Sequence, residues 1–187
     1  MNRRTLPLLA ALATTVTILT TGCGDLETMG NPYNHTDEEI AAAAALLPTL
    51  PSLEDTEKQI TEAVVQIADA ATAIAPELQW EWRRERSQSS CGGAFGKTDG
   101  LEIQLQMYVS LTPISDADWP RILQAAHDIA APLGITQLTV RVDKPGKHDV
   151  VLTSDDGSRI FLGSDVRAVI SAQTGCRLPT EQTDPTP

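Results

Sequence analysis

The chain predicts an α+β fold, a two-layer α/β sandwich in which one mainly antiparallel sheet of about five strands carries two amphipathic helices on one face. Three observations predict it. Ile60, Val64, Ile67, Ala71 and Ile74 recur at spacings of three and four, as on a helix with one buried side. Leu101, Ile103, Leu105, Met107, Val109 and Leu111 alternate with Glu102, Gln104, Gln106, Tyr108 and Ser110, as on a strand half buried and half wet. The order of such segments is helix, strand, strand, helix, strand, strand, strand, and alternating strands need cover on one face only.

Thr36-Asp37-Glu38-Glu39 has capping-box spacing and opens a short helix that ends before Pro48. Ser52 caps the next, with Glu54, Asp55 and Glu57 placing negative charge on its first turn, and Pro76 stops it. Leu78, Trp80 and Trp82 then alternate with Gln79, Glu81 and Arg83, before the long alternating run at 101–111. Residues 115–118 open a third helix with Trp119, Ile122, Leu123, Ala126 and Ile129 on one face, closed by Pro132 and Gly134. Leu138, Val140 and Val142 mark a further strand. Lys144-Pro145-Gly146-Lys147 turns into a strand over 148–153, and Ser154-Asp155-Asp156-Gly157 turns again. A last extended stretch, 159–172, is interrupted at Gly163-Ser164. The strand–helix–strand crossover between 101 and 142 is expected to be right-handed.

The 187 residues carry 14 Lys+Arg against 25 Asp+Glu, a formal net charge of −11, with 41% hydrophobic residues. That is enough apolar surface for a folded core. A chain this acidic is repelled by phosphate backbones, which excludes nucleic acid as a partner. Three Cys and three His are too few for zinc-finger or ribbon clusters, and no metal or cofactor is expected.

The first residues follow secretory grammar. Arg3 and Arg4 precede an uncharged apolar stretch over 6–19, too short to span a bilayer as a helix. It ends in Thr20-Thr21-Gly22-Cys23, the small-small-Cys pattern of a bacterial lipoprotein signal, in which the Cys thiol receives the lipid. Thr20 stands where such signals usually carry Leu, and an ordinary secretory signal with a coincidental Cys is the alternative. Residues 1–22 therefore read as signal peptide, and 23–35 as lipidated Cys23 with a flexible tether. Residues 36–178 read as the single domain and 179–187 as a disordered Pro/Thr tail. Removing Arg3 and Arg4 with the leader takes the net charge from −11 to −13. The domain would sit on the outer, extracytoplasmic face of the cell membrane, held by palmitate-type acylation.

Outside the cytoplasm the two remaining cysteines, Cys91 and Cys176, can pair in one way. Two buried free thiols are the alternative. Gly92-Gly93-Ala94-Phe95-Gly96-Lys97-Thr98 ends like a phosphate-binding loop, but the first glycine of that motif would fall on Cys91, and a strand rather than a helix follows. His127-Asp128 and His148-Asp149 are sequence neighbours whose side chains diverge, and both histidines read as exposed polar residues. No G-x-S-x-G elbow is present, so no catalytic residues are assigned. Trp80, Trp82 and Trp119 read as core. The far face of the sheet would carry Gln79, Glu81, Arg83, Glu102, Gln104, Gln106, Tyr108, Thr139 and Arg141. An uncovered polar face of this kind can bind a partner, or simply be solvated.

Taken together, several features resemble the LppA-type lipoproteins of mycobacteria. They are Cys23, the Thr36-Asp37-Glu38 helix start, Ile74-Ala75-Pro76 closing the long helix, and Gln79-Trp80-Glu81-Trp82. A Ser-rich loop to Cys91 and a closing Thr174-Gly175-Cys176-Arg177-Leu178-Pro179 with its Pro/Thr tail complete them. The resemblance implies a surface lipoprotein of unassigned biochemical role, with no catalytic residues to carry over. The leading expectation is a non-enzymatic interaction or scaffold domain tethered at the envelope, whose partner is an envelope protein or lipid. Its alternative is a carrier or sensor of a small apolar or lipid ligand held between helices and sheet. A hydrolase with a composite carboxylate site would need two acids converging in one cleft.

Overall fold

A computed structural model describes residues 34–183. The leader, Cys23 and most of the expected tether lie outside the described residues, as does the end of the tail.

Helix α1 spans Asp37–Leu46, and its capping box is complete. The Thr36 hydroxyl accepts from the Glu39 amide, and the Glu39 carboxylate accepts from the Thr36 amide. Helix α2 spans Leu53–Ile74 with Ser52 as its cap, and it buries Ile60, Val64, Ile67 and Ala71 as the spacing predicts. Helix α3 spans Trp119–Ala130 and ends in a turn closed by Gly134 at a φ of 73°, a left-handed position that glycine adopts without cost.

The sheet corrects the expected strand number: it has eight strands, not about five. They are β1 (Trp80–Arg83), β2 (Ser87–Ser90), β3 (Leu101–Gln104), β4 (Met107–Ser110), β5 (Gln137–Lys144), β6 (Lys147–Thr153), β7 (Arg159–Ser164) and β8 (Ala168–Gln173). The main order is β1-β4-β8-β7-β6-β5, with β3 bonded to both β8 and β2, and the pairings are antiparallel. Three differences account for the extra strands. The run at 101–111 breaks at residues 105–106, so that β3 pairs with β2 and β4 with β1. The polar segment Ser87–Ser90 forms an exposed edge strand. The stretch at 159–172 is two strands joined by a turn at 165–167, not one strand with a bend at Gly163-Ser164.

The break reverses the sheet's parity. Ile103 and Leu105 point into the core, yet beyond the break Tyr108 pairs with buried Ile170 and Ser110 with buried Ala168. Directly opposed residues share a face, so Met107 and Val109 point away from the helices. A second shift, a bulge between Val140 and Val142 in β5, sends Val142 to that outer face too.

The core lies between α2, α3 and the sheet. Ile60, Val64 and Ile67 of α2 and Ile122 of α3 share it with Ile103, Leu152, Ile160, Leu162 and Ile170. Burying each such side chain stabilises the fold by about 1.5–3 kcal/mol relative to exposure. Cys91 and Cys176 are disulfide-bonded, with Cα atoms 5.7 Å apart, and the tail begins with a helical turn, α4, at Thr180–Thr183.

Candidate functional site

The residues expected on one polar face divide between the two sides of the sheet. Glu81 pairs with Val109 and Arg83 with Met107, and Gln104 pairs with Gln173; these belong to the outer face. Glu102, two residues before Gln104 in β3, shares that face. Thr139 pairs with Val151, opposite Phe161. Arg141 joins them at the bulge, its guanidinium 5.2 Å from the centre of the Phe161 ring and 4.0 Å from the Asp149 carboxylate. Arg83 is ion-paired with Glu81. Gln79 precedes β1 and is exposed, its amide donating to the Ser110 hydroxyl. The outer face is less polar than the alternation suggests, because Met107, Val109, Phe161 and Val169 also lie on it.

Tyr108 and Gln106 are corrected to the other side. Tyr108 stacks on Trp82 with ring centres 4.2 Å apart and lies 5.8 Å from Trp80. The Trp80 indole donates to the Thr72 hydroxyl of α2 at 3.2 Å, so the three rings lean against the helix layer. Trp82 is not a core residue, being 38% exposed. It lines a cleft of about 320 Å³ with Gln106, Thr61 and the Arg86–Glu57 pair, in which the guanidinium meets the carboxylate through bonds of 2.6 and 3.0 Å. Trp119 is buried, as expected.

His148 is also corrected, from exposed to 7% exposed. Its Nδ1 lies 2.7 Å from Asp143 and its Nε2 2.9 Å from Asp116, while its ring stacks on Trp119 at 4.5 Å. Asp116 also accepts from the Gly146 amide, and that bond, with the one to His148, holds its carboxyl below the usual range. The cluster ties the β5–β6 turn to the start of α3. Sequence reasoning missed it because Asp116 lies far from His148 along the chain; the only signal was Asp143, opposite His148 across the turn.

Arg177 is buried. Its Nη2 lies 2.5 Å from Asp156 and its Nε donates to the Thr56 hydroxyl at 3.1 Å. Burial opposes ionisation of Asp156, but hydrogen bonds from Ser154 and Ser158 and the charge of Arg177 outweigh it, so the carboxyl titrates below the ordinary 3.8. Asp155 and Asp156 line a surface cleft of about 420 Å³ beside the disulfide. Asp156 is committed to Arg177, and Asp155 accepts from Gln137 at 2.5 Å. No group of His, Cys, Asp and Glu suited to a metal ion occurs among the described residues.

Known proteins bear on these surfaces through family and fold. Residues 29–180 match the model of the LppA family, described as a lipoprotein confined to pathogenic Mycobacterium. The crystal structure of the lipoprotein LppA from Mycobacterium tuberculosis aligns with a TM-score of 0.64 at 16% identity, over 80% of this chain and 90% of that one. A DUF4853 family protein from Actinomyces odontolyticus aligns with a TM-score of 0.47 at 14% identity, over 82% of this chain and 73% of that one. Comparison with curated proteins gives no match. The family model spans most of the domain, and the solved relative shares its fold: the chain belongs to the LppA family of lipoproteins.

Proposed function

We propose that the chain is a non-enzymatic interaction domain of the cell envelope, tethered to the outer face of the membrane through acylated Cys23, and that it meets its partner through the outer face of its sheet. The observation that carries this reading is the one-sided packing. Helices α2 and α3 bury their stripes on the same side, which leaves Arg83, Arg141, Met107 and Phe161 on the other. A face mixing arginines with aliphatic and aromatic side chains has the composition of an interaction surface. The carboxylates that converge are engaged, Asp116 and Asp143 with His148 and Asp156 with Arg177, which favours binding over acid–base chemistry. The carrier alternative needs room between helices and sheet, where Val64, Ile67, Ile103 and Ile160 pack with almost no exposure.

Cross-linking in intact cells tests the proposal. Arg83→Glu with Arg141→Glu is expected to abolish the specific cross-links of the parent chain while leaving its thermal unfolding within a few degrees. An unchanged cross-link pattern would overturn the assignment of this face.

A further inference from the structure

We propose that the part of the outer face built by β1, β4 and β8 is a contact site for an anionic lipid surface, with Arg84 and Arg167 meeting lipid phosphates and Leu111 and Val166 entering the interfacial layer. The inference deepens the membrane-tethered reading above and rests on it.

Charge is the first argument. The chain has 25 acidic against 14 basic residues, yet one groove on this face is lined by three arginines and by no acidic residue. Arg83 is paired with Glu81, but neither Arg84 nor Arg167 has a side-chain partner among the described residues. Both line one groove of about 280 Å³ along β4. The floor of the groove is apolar, made by Met107, Val109 and Val169. Arg83 pairs with Met107 at one end of β4, and Arg167 precedes Ala168, the partner of Ser110, at the other. The groove is thus an aliphatic trough with cationic ends.

Backbone geometry agrees. Arg84 holds a φ of 63°, the one positive value at a non-glycine residue among the described residues. That conformation is costly for a residue with a Cβ, and it sets the Arg84 side chain at the groove.

Exposure supplies the third argument. Val166 is 76% exposed and Leu111 65%, the two highest values among the large hydrophobics. Val166 stands on the β7–β8 turn and Leu111 just past β4, which the Ser110–Ala168 pair brings to the same end of the sheet. Guanidinium groups match phosphate oxygens in bidentate fashion, and an anionic leaflet attracts each basic side chain near it. Aliphatic side chains projecting beside such cations suit the boundary between headgroup and acyl chain. If the dozen residues after Cys23 act as the flexible tether the sequence leads one to expect, they would reach roughly 20 Å and keep a lipid surface within range.

The test uses the chain from residue 23 onward with Cys23→Ala, so that neither an acyl group nor the basic, apolar leader can hold it to lipid. It is sedimented with vesicles of phosphatidylcholine alone and with vesicles containing one-third phosphatidylglycerol. Preference for the anionic vesicles is expected, and Arg84→Gln with Arg167→Gln should lower partitioning onto them about 30-fold. Arg84→Lys with Arg167→Lys should retain most of it, which separates charge from folding. Leu111→Ser with Val166→Ser should weaken binding without changing its salt dependence. Equal partitioning on both vesicle types, or a glutamine pair that binds like the parent, would overturn the lipid assignment. Arginine-dependent cross-links to an envelope protein that persist beside such a failure would leave the interaction reading standing and give the face to a protein.

Discussion

Arg177 shows how one residue can hold three parts of the fold at once. Its guanidinium reaches α2 through Thr56, the β6–β7 turn through Asp156, and the backbone of Cys176 beside the disulfide. Burial lowers its proton affinity and Asp156 partly restores it, so the pair carries a desolvation cost that its geometry must offset. Arg177→Met is expected to cost about 3 kcal/mol, the low end for a broken buried pair, because the Asp156 side chain remains 32% exposed. Denaturant unfolding measures it. The sign with pH follows from the depressed carboxyl of Asp156. Its contribution is complete above the ordinary 3.8 and is lost as pH falls through the lower folded value. Asp156→Asn should therefore be less stable than the parent near neutrality but lose less on acidification, visible as a flatter acid limb in melting temperature against pH. His148 works in the same way at the other end of the sheet, joining Asp116 and Asp143 across a turn.

At the scale of elements, the caps and stripes were readable because their causes are local. Thr36 and Ser52 cap α1 and α2 through residues three positions away, and α2 buries one stripe. The sheet was only half readable. Residues 101–111 keep perfect alternation through a break that exchanges faces, because both faces of β4 are partly apolar: Val109 is buried on the outside, and Tyr108 takes the inside against Trp82. Period two cannot report a parity reversal when each face can receive either kind of residue. Strand β2, Ser-Gln-Ser-Ser, has no apolar pattern and is held by ladder bonds to β3, a long-range cause invisible in its own residues. The candidate face inherited that error, so Tyr108 and Gln106 moved while Glu81, Arg83 and Arg141 stayed. The disulfide was legible from the cysteine count together with the expected export. It ties the end of β2 to the segment after β8 across a separation of 85 residues. Cys91→Ala with Cys176→Ala should lower stability by about 4–5 kcal/mol on loop-closure grounds, measured as a fall in the denaturant midpoint. A midpoint equal to the parent's would mean that the chain is not cross-linked.

For the whole molecule, a lipid group at Cys23 and a cationic trough on the sheet would act as two linked membrane contacts. The diacylglycerol group expected on Cys23 carries two acyl chains and would anchor durably by itself, so the cationic trough would chiefly orient the domain. Contacts joined by a short tether reinforce each other, because the first raises the effective concentration of the second. Cleavage of the expected leader would remove Arg3 and Arg4 and leave a more acidic body, which a negatively charged leaflet would repel overall. A local basic patch would then decide which side of the domain turns toward the lipid. Mass spectrometry of the chain purified from the envelope is expected to show a first residue of Cys23, a diacylglycerol-type mass increment, and oxidised Cys91 and Cys176. Membrane fractionation then ranks the contacts. Cys23→Ala should release most of the chain, Arg84→Gln with Arg167→Gln a smaller share, and the triple variant more than either. High salt should mimic the arginine substitutions, since screening at molar ionic strength shortens the reach of the leaflet's charge to about 3 Å. A chain found with its first residues intact and its thiols reduced would remove the anchor. The sheet face would then have to be tested as a surface for soluble partners.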